Sequence, residues 1–436
     1  MLALPSKLGV LLLAVFVAVV VNKLSSFDGS LHDGKRPIPF EAVPMYKQSE
    51  MIWFCRFVFG YLFAHIAPVG TMVACPTTVD IDNEEEAANS LACMEKGRSI
   101  ETSDLSMDDL SSSFDVENLL VGRPDGGPEM EITLLTKKNS GAARDDSILL
   151  MYLHGGGFTV RGGKNMFSHQ IFSEMLKQDD ELMGRATYAI VKYRLAPFSQ
   201  YPDATNDSML ALEYLVKTKN LGNSGIHIIG QSAGATLAME VTLRSISAEG
   251  LSVDSFLVDE PMVPLPRSNS NNGTWAFDSD SFRRYAWTSM PSTRWLEWSL
   301  MAYSGFSLSE LELSTIPIGM VETPIDITGG ALSPEKWTKA VAAGGVPELP
   351  HLLLVTALGD PLRSGGQYFK QVYEQVLRET KSESKLSYME AVSGHANLYI
   401  FEPGLFKRLM TAFLDNIRSV RRQRRFREEQ LQTLNG

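Results

Sequence analysis

The stretch Ile226-His-Ile-Ile-Gly-Gln-Ser-Ala-Gly-Ala235 decides the fold. A β-branched run from Ile226 to Ile229 reads as a buried strand, and Ala235, Leu237, Ala238 and Met239 open a helix of small and apolar residues. Between them, Gly230-Gln-Ser-Ala-Gly234 makes a sharp turn. Strand, turn and helix together describe a nucleophile elbow, which holds its central residue, here Ser232, in a strained conformation at the top of a sheet. Side chains at Gly230 or Gly234 would collide with the neighbouring strand and helix.

The elements around this stretch alternate in type. Glu129 to Leu135 alternates like an outer strand, and Ile148 to Leu153 is a continuous apolar run of the buried, parallel kind. A helical segment around Met166 to Met183 precedes a strand at Thr187 to Tyr193, and a helix at Ala204 to Lys217 precedes the central strand. Phe256 to Val258, His351 to Thr356 and Leu386 to Val392 add strands, and Leu405 to Ile417 an amphipathic helix. The pattern predicts an α/β fold, with a mostly parallel open sheet covered by helices on both faces. With 436 residues, 44% of them hydrophobic, the chain has the material for one large core or two small ones.

Directly after the buried strand comes His154-Gly155-Gly156-Gly157-Phe158. Three consecutive glycines leave backbone N–H groups open to close approach by a substrate oxygen, as an oxyanion hole requires. A phosphate cradle fits less well, because no Lys-Ser/Thr follows and a Gly-x-Gly-x-x-Gly pattern fails at Val160. Cys55, Cys75 and Cys93 lack metal-ligand spacing, so neither metal nor cofactor is expected.

His154 to Phe158, Tyr193-Arg-Leu-Ala-Pro197, Tyr201-Pro202, Gly230 to Gly234, Asp360-Pro-Leu-Arg363 and Gly394-His395 occur in the order and approximate spacing of the hormone-sensitive-lipase-like α/β-hydrolases. The chain resembles that family from about residue 119 to 420, and with its apolar amino terminus looks most like the arylacetamide deacetylase and neutral cholesteryl ester hydrolase branch. The resemblance implies Ser232 as nucleophile, His395 as general base and Asp360 as the acid orienting it, with Gly156, Gly157 and the N–H of Ala233 as the oxyanion hole and Gly155 in the same loop.

An independent reading of the residues agrees. Asp360 lies just past the carboxyl end of one strand and His395 on a loop after the next, where a parallel sheet presents its working groups. Of the seven histidines, His32 and His65 precede the sheet, His154 starts the glycine loop as its organiser, His169 is helical, and His227 and His351 lie within strands. Glu390, a rival acid, sits inside a strand, and Ser333-Pro-Glu-Lys336 reads as a helix start rather than a second nucleophile. Two supporting positions depart from the family, with Gln231 for its usual Asp and Phe198 for its usual Glu. The expected activity is hydrolysis of hydrophobic, uncharged carboxylic esters or lipids through an acyl-enzyme; a non-catalytic small-ligand receptor on the same fold is the alternative.

The flanks carry the remaining expectations. Leu8 to Val21 is apolar and lacks a small-x-small cleavage site, so residues 1–24 read as a signal anchor. Residues 25–118 form a cap segment, with aromatics between Met51 and Val69, and an acidic connector: positions 80–118 hold twelve acidic residues against Lys96 and Arg98, nearly all of the net charge of −11. That balance argues against nucleic acid as a partner. Residues 119–436 form the hydrolase domain, with a cap insertion at 263–332 in which Trp275 to Phe306 carries nine aromatics. Arg418, Arg421, Arg422, Arg424, Arg425 and Arg427 read as a solvated tail or a contact for anionic lipid. Asn272 and, less accessibly, Asn206 head N-glycosylation sequons, consistent with an enzyme anchored in the endoplasmic reticulum with a lumenal domain, or alternatively secreted.

Overall fold

The computed structural model describes Leu31–His32, Ser111 and residues 113–435, with breaks at 139–146, 160–167, 198, 268–272, 286–292, 307–318, 345–347, 392–393 and 396–402. The apolar runs at 8–21 and 51–69, the acidic stretch before Ser111, Phe198 and Asn272 lie outside the described residues. Among the described residues no helix is long and apolar enough to cross a membrane.

The strands in chain order are β1 (Leu31–His32), β2 (Phe114–Val121), β3 (Met130–Lys137), β4 (Ile148–Leu153), β5 (Ala186–Val191), β6 (Gly225–Gln231), β7 (Ser255–Asp259), the small pair β8 (Leu265–Pro266) and β9 (Trp275–Ala276), then β10 (His351–Ala357) and β11 (Leu386–Ala391). All but β8 and β9 join one sheet in the order β1-β11-β10-β7-β6-β4-β5-β3-β2. From β5 to β11 the neighbours run parallel, and the antiparallel pairs sit at the two edges. β4, β5, β6, β7 and β10 are buried along their whole length, and apolar residues crowd their middles rather than alternating with polar ones.

The helices are α1 (Ser168–Gln178), α2 (Asp180–Met183), α3 (Asp203–Glu213), α4 (Ala233–Ile246), α5 (Asp280–Arg284), α6 (Thr293–Tyr303), α7 (Pro334–Gly344), α8 (Arg363–Thr380) and α9 (Pro403–Asn435). One face of the sheet packs on α3, α4, α7 and α8, together with the α5–α6 cap; there Trp337 meets Tyr373 edge-on at 5.3 Å. The other face packs on α1 and α9, through Phe172, Leu409, Phe413 and Ile417 among others. Each such fully buried side chain contributes roughly 1.5–3 kcal/mol, which ties α9 firmly to the sheet.

Several boundaries differ from the expectations. The helix expected over Met166–Met183 breaks at Asp179, whose carboxylate caps the Leu182 N–H at 3.0 Å and pairs with Arg418 at 2.7 Å. The helix expected to reach Lys217 ends in a π turn at Tyr214–Thr218. β2 starts at Phe114, inside the acidic stretch and ahead of residue 119, and His32 lies in an edge strand of the sheet instead of preceding it. The arginine-rich segment is no separate tail but the continuation of α9. Its Arg418 and Arg424 pair with Asp179 and Asp254 on the body, which satisfies their charges and carries the helix past Ile417.

Because the central strands run parallel, their carboxyl ends share one edge of the sheet. The loops after β4, β6, β7, β10 and β11 therefore converge there, and they carry His154, Ser232, Glu260, Asp360 and His395.

Candidate active site

Ser232 adopts φ 53° and ψ −117°, a backbone region that non-glycine residues rarely occupy. The surroundings over-determine it. Its N–H donates to Asp259 O at 2.8 Å, and its carbonyl accepts from Ala235 N at 3.0 Å and Met262 N at 3.2 Å. A Cβ on Gly230 would lie 2.6 Å from Ala235 Cα, and one on Gly234 would lie 2.0 Å from Leu153 O and 2.5 Å from His154 O. The elbow thus abuts both its own helix and the glycine loop, with room for hydrogen alone.

The structure brings Ser232, His395 and Asp360 together from three separate loops. The Ser232 hydroxyl stands 3.1 Å from His395 Nε2, and His395 Nδ1 stands 2.8 Å from Asp360 Oδ2. The other Asp360 oxygen accepts from Leu362 N at 2.8 Å, which fixes the carboxylate plane. An ionised carboxylate only accepts, so Nδ1–H donates to Asp360 and Nε2 is left to accept the serine proton. Ser232 and His395 keep 6% and 7% of their surface exposed while Asp360 keeps none, so only the first two are open to the surface.

The glycine loop lies against the elbow. A Cβ on Gly155 would meet Gln231 O at 3.0 Å, which places this glycine in the packing between loop and turn. Gly157, at φ 60°, lies under the cap, where a Cβ would stand 2.5 Å from Trp295 Cη2 and 2.9 Å from Ser299 Oγ on α6. Phe158 stacks on Tyr303 of the same helix at 3.9 Å. Ala233 is the first residue of α4, so its N–H has no acceptor within the helix and sits at the positive end of the helix dipole. His154 organises the loop: Nδ1–H donates to Gly155 O at 2.7 Å, and the ring stacks on Tyr193 at 4.2 Å. Gln231, 2% exposed, accepts from Tyr152 OH at 3.2 Å, beneath the turn.

Other candidates lie elsewhere. Glu390 is committed to Arg363, whose Nε stands 2.7 Å away, and to Tyr388 and Thr356. Ser333 precedes α7, and Lys336 reaches Gly329 O rather than a nucleophile. Asn206 is in the first turn of α3, where Arg244 donates to its side chain at 3.1 Å. Ser281 on α5 donates to Pro361 O at 2.8 Å, tying the cap to the loop that carries Asp360.

Two features escaped the sequence reading. Ser299 and Tyr303 join Trp295 against the glycine loop, a contact that the aromatic composition of the cap insertion did not locate. Glu260, 1% exposed, places Oε2 3.3 Å from His395 Nδ1. The signal for it was its position directly after a strand end, the same rule that located Asp360. Among the described residues Glu260, Asp360 and His395 form the one group with metal-ligating atoms within 4.8 Å of one another. Both imidazole nitrogens are engaged there, Nδ1 with the two carboxylates and Nε2 with Ser232, an arrangement able to pass a proton from the serine to the imidazole.

Residues 150–316 match the family model described as the alpha/beta hydrolase fold. The chain has the α/β-hydrolase fold. It is similar to probable carboxylesterase 6 of Arabidopsis thaliana, 30% identical over 112 residues that make up 24% of this chain and 32% of the relative. It is also similar to the kynurenine formamidase avaC of Aspergillus versicolor, 36% identical over 102 residues, or 22% of this chain and 35% of the relative. The match thus spans about a third of the length of these two curated relatives. Among solved structures, a fungal esterase from Rhizomucor miehei superposes with a TM-score of 0.54 at 19% identity, covering 76% of this chain and 92% of that one. That likeness is one of fold.

Proposed function

We propose that this α/β-hydrolase is a serine esterase that cleaves uncharged, fairly hydrophobic carboxylic esters. The observation that carries the reading is the continuous chain from Ser232 Oγ through His395 to Asp360, with distances of 3.1 and 2.8 Å. In the proposed reaction His395 Nε2 takes the serine proton as Oγ attacks the ester carbonyl, and the Gly156, Gly157 and Ala233 N–H groups receive the oxyanion. The imidazolium then protonates the leaving alcohol, and water activated by the same nitrogen releases the acid. The apolar cap residues Trp295 and Tyr303 over the glycine loop support a hydrophobic substrate. An intact relay also speaks against a receptor that uses the fold without chemistry.

The test is hydrolysis of p-nitrophenyl esters across acyl chain lengths by wild type, Ser232→Ala and His395→Ala. Each variant is expected to lose about 10⁴-fold or more in kcat, because nucleophile and base act as one unit. A Ser232→Ala protein that keeps more than about a hundredth of wild-type kcat refutes the assignment. An N-formyl arylamine belongs in the same panel, because a curated relative carries the name of a formamidase.

From the sequence alone we also propose membrane attachment through residues 8–21, with the hydrolase domain on the lumenal side. A shift on gels after endoglycosidase treatment, removed by Asn272→Gln, would support that side. A catalytic domain digested by protease in intact microsomes would place it in the cytosol.

A further inference from the structure

We propose that Glu260 is a second acid of the relay, sharing the Nδ1 proton of His395 with Asp360 and holding the imidazole in its working tautomer when Asp360 is lost. The proposal rests on the serine-hydrolase reading above. Two carboxylates reach one nitrogen from different strand ends, Asp360 after β10 at 2.8 Å and Glu260 after β7 at 3.3 Å. Ser232 faces the same imidazole from the elbow, on its other nitrogen.

Glu260 is no incidental neighbour. A carboxylate with 1% of its surface exposed is costly to bury unless another group compensates for its lost water. Its backbone is also held in an unusual state, at φ 49°, with its N–H donating to Val355 O at 2.9 Å and Pro261 following. Fixed φ and a fixed amide aim the side chain back over the strand ends towards His395. One N–H divided between two acceptors is weaker to each, but either acceptor alone demands a proton on Nδ1 and so leaves Nε2 free to act as base. A lone triad acid has no such substitute.

The experiment compares Asp360→Asn, Glu260→Gln and the double variant by ester turnover and by NMR of ¹⁵N-histidine-labelled protein, with the His395 signals identified by their loss in His395→Gln. Glu260→Gln alone is expected to lower kcat by about threefold to tenfold with KM unchanged. Asp360→Asn is expected to keep the Nδ1–H form of His395 and to lose about 10²-fold in kcat, against the ~10⁴-fold that follows when the only acid of a triad is removed. The double variant is expected to lose both the Nδ1–H form and the remaining rate.

Loss of the Nδ1–H form in Asp360→Asn alone, with a double variant no slower, overturns the proposal. Should the double variant fail to fold, Asp360→Asn/Glu260→Asp carries the same contrast, because the shortened carboxylate withdraws from Nδ1. A wild-type chain that cleaves no ester and whose Ser232 resists a fluorophosphonate overturns the hydrolase reading instead. The tautomer comparison needs no turnover and still decides whether Glu260 shares the proton.

Discussion

Replacing Ser232 by glycine and, separately, by alanine measures the strain held at the elbow. Both substitutions remove the hydroxyl and its 3.1 Å contact with His395, so that loss cancels between them. In an unstrained position glycine is less stable than alanine by about 0.5–1 kcal/mol, because its unfolded chain has more freedom to lose. At φ 53° and ψ −117°, alanine keeps a conformation that costs about 1–3 kcal/mol, and glycine is relieved of it. The balance favours Ser232→Gly by about 1 kcal/mol, a reversal of the usual order. Urea or guanidinium unfolding of the two inactive proteins, monitored by tryptophan fluorescence, reads the difference as a shift in midpoint at constant slope. If Ser232→Gly unfolds at lower denaturant than Ser232→Ala, the elbow stores no strain and the reasoning is wrong.

Gly157→Ala drives a Cβ to within 2.5 Å of Trp295 Cη2, so it should displace the cap ring and lower kcat/KM by about tenfold to a hundredfold, with partial recovery in Gly157→Ala/Trp295→Ala; an unchanged rate would show that the loop and cap do not meet in solution. Gln231→Asp puts a carboxylate at a buried site whose partner is the Tyr152 hydroxyl, and should lower the unfolding midpoint while leaving KM unchanged and kcat within about tenfold; a change in KM alone would place residue 231 in the substrate pocket. His227 should make the fold sensitive to acid. Burial, then Arg424, Arg421 and His351, push its imidazole down to about 3, so between that value and 6.5 the unfolded chain binds a proton the folded one refuses. Stability is full above pH 6.5 and should fall by about 3 kcal/mol by pH 4, a loss that His227→Asn removes; equal acid sensitivity in the two proteins would exclude His227 as its source.

The sheet was legible because its inner strands are buried on both faces. Ile148–Leu153 and Leu352–Val355 are continuous apolar runs, a pattern that a strand buried on one face alone does not produce. Ser232, Asp360 and His395 followed from the same rule, each lying just beyond a strand end. Glu260 did not stand out, since a single glutamate before a proline carries no period and its meaning comes from His395, 135 positions further on. The Arg418 and Arg424 contacts hid for a similar reason. An arginine-rich run looks solvated until Asp179 and Asp254, placed there by other elements, are seen beside it.

The contact at Gly234 bears on where this protein can adapt. With a hydrogen there and nothing larger, the turn holding Ser232 and the glycine loop rest on each other as one rigid jaw. In the proposed ester hydrolysis, neither half could shift to admit a bulkier acyl group without moving the other. Tolerance for substrates of different size would then reside in the opposing jaw, α6 with Trp295, Ser299 and Tyr303. Diversity introduced there would retune what the protein accepts, while the same diversity in residues 154–158 or 230–234 would chiefly yield silent proteins.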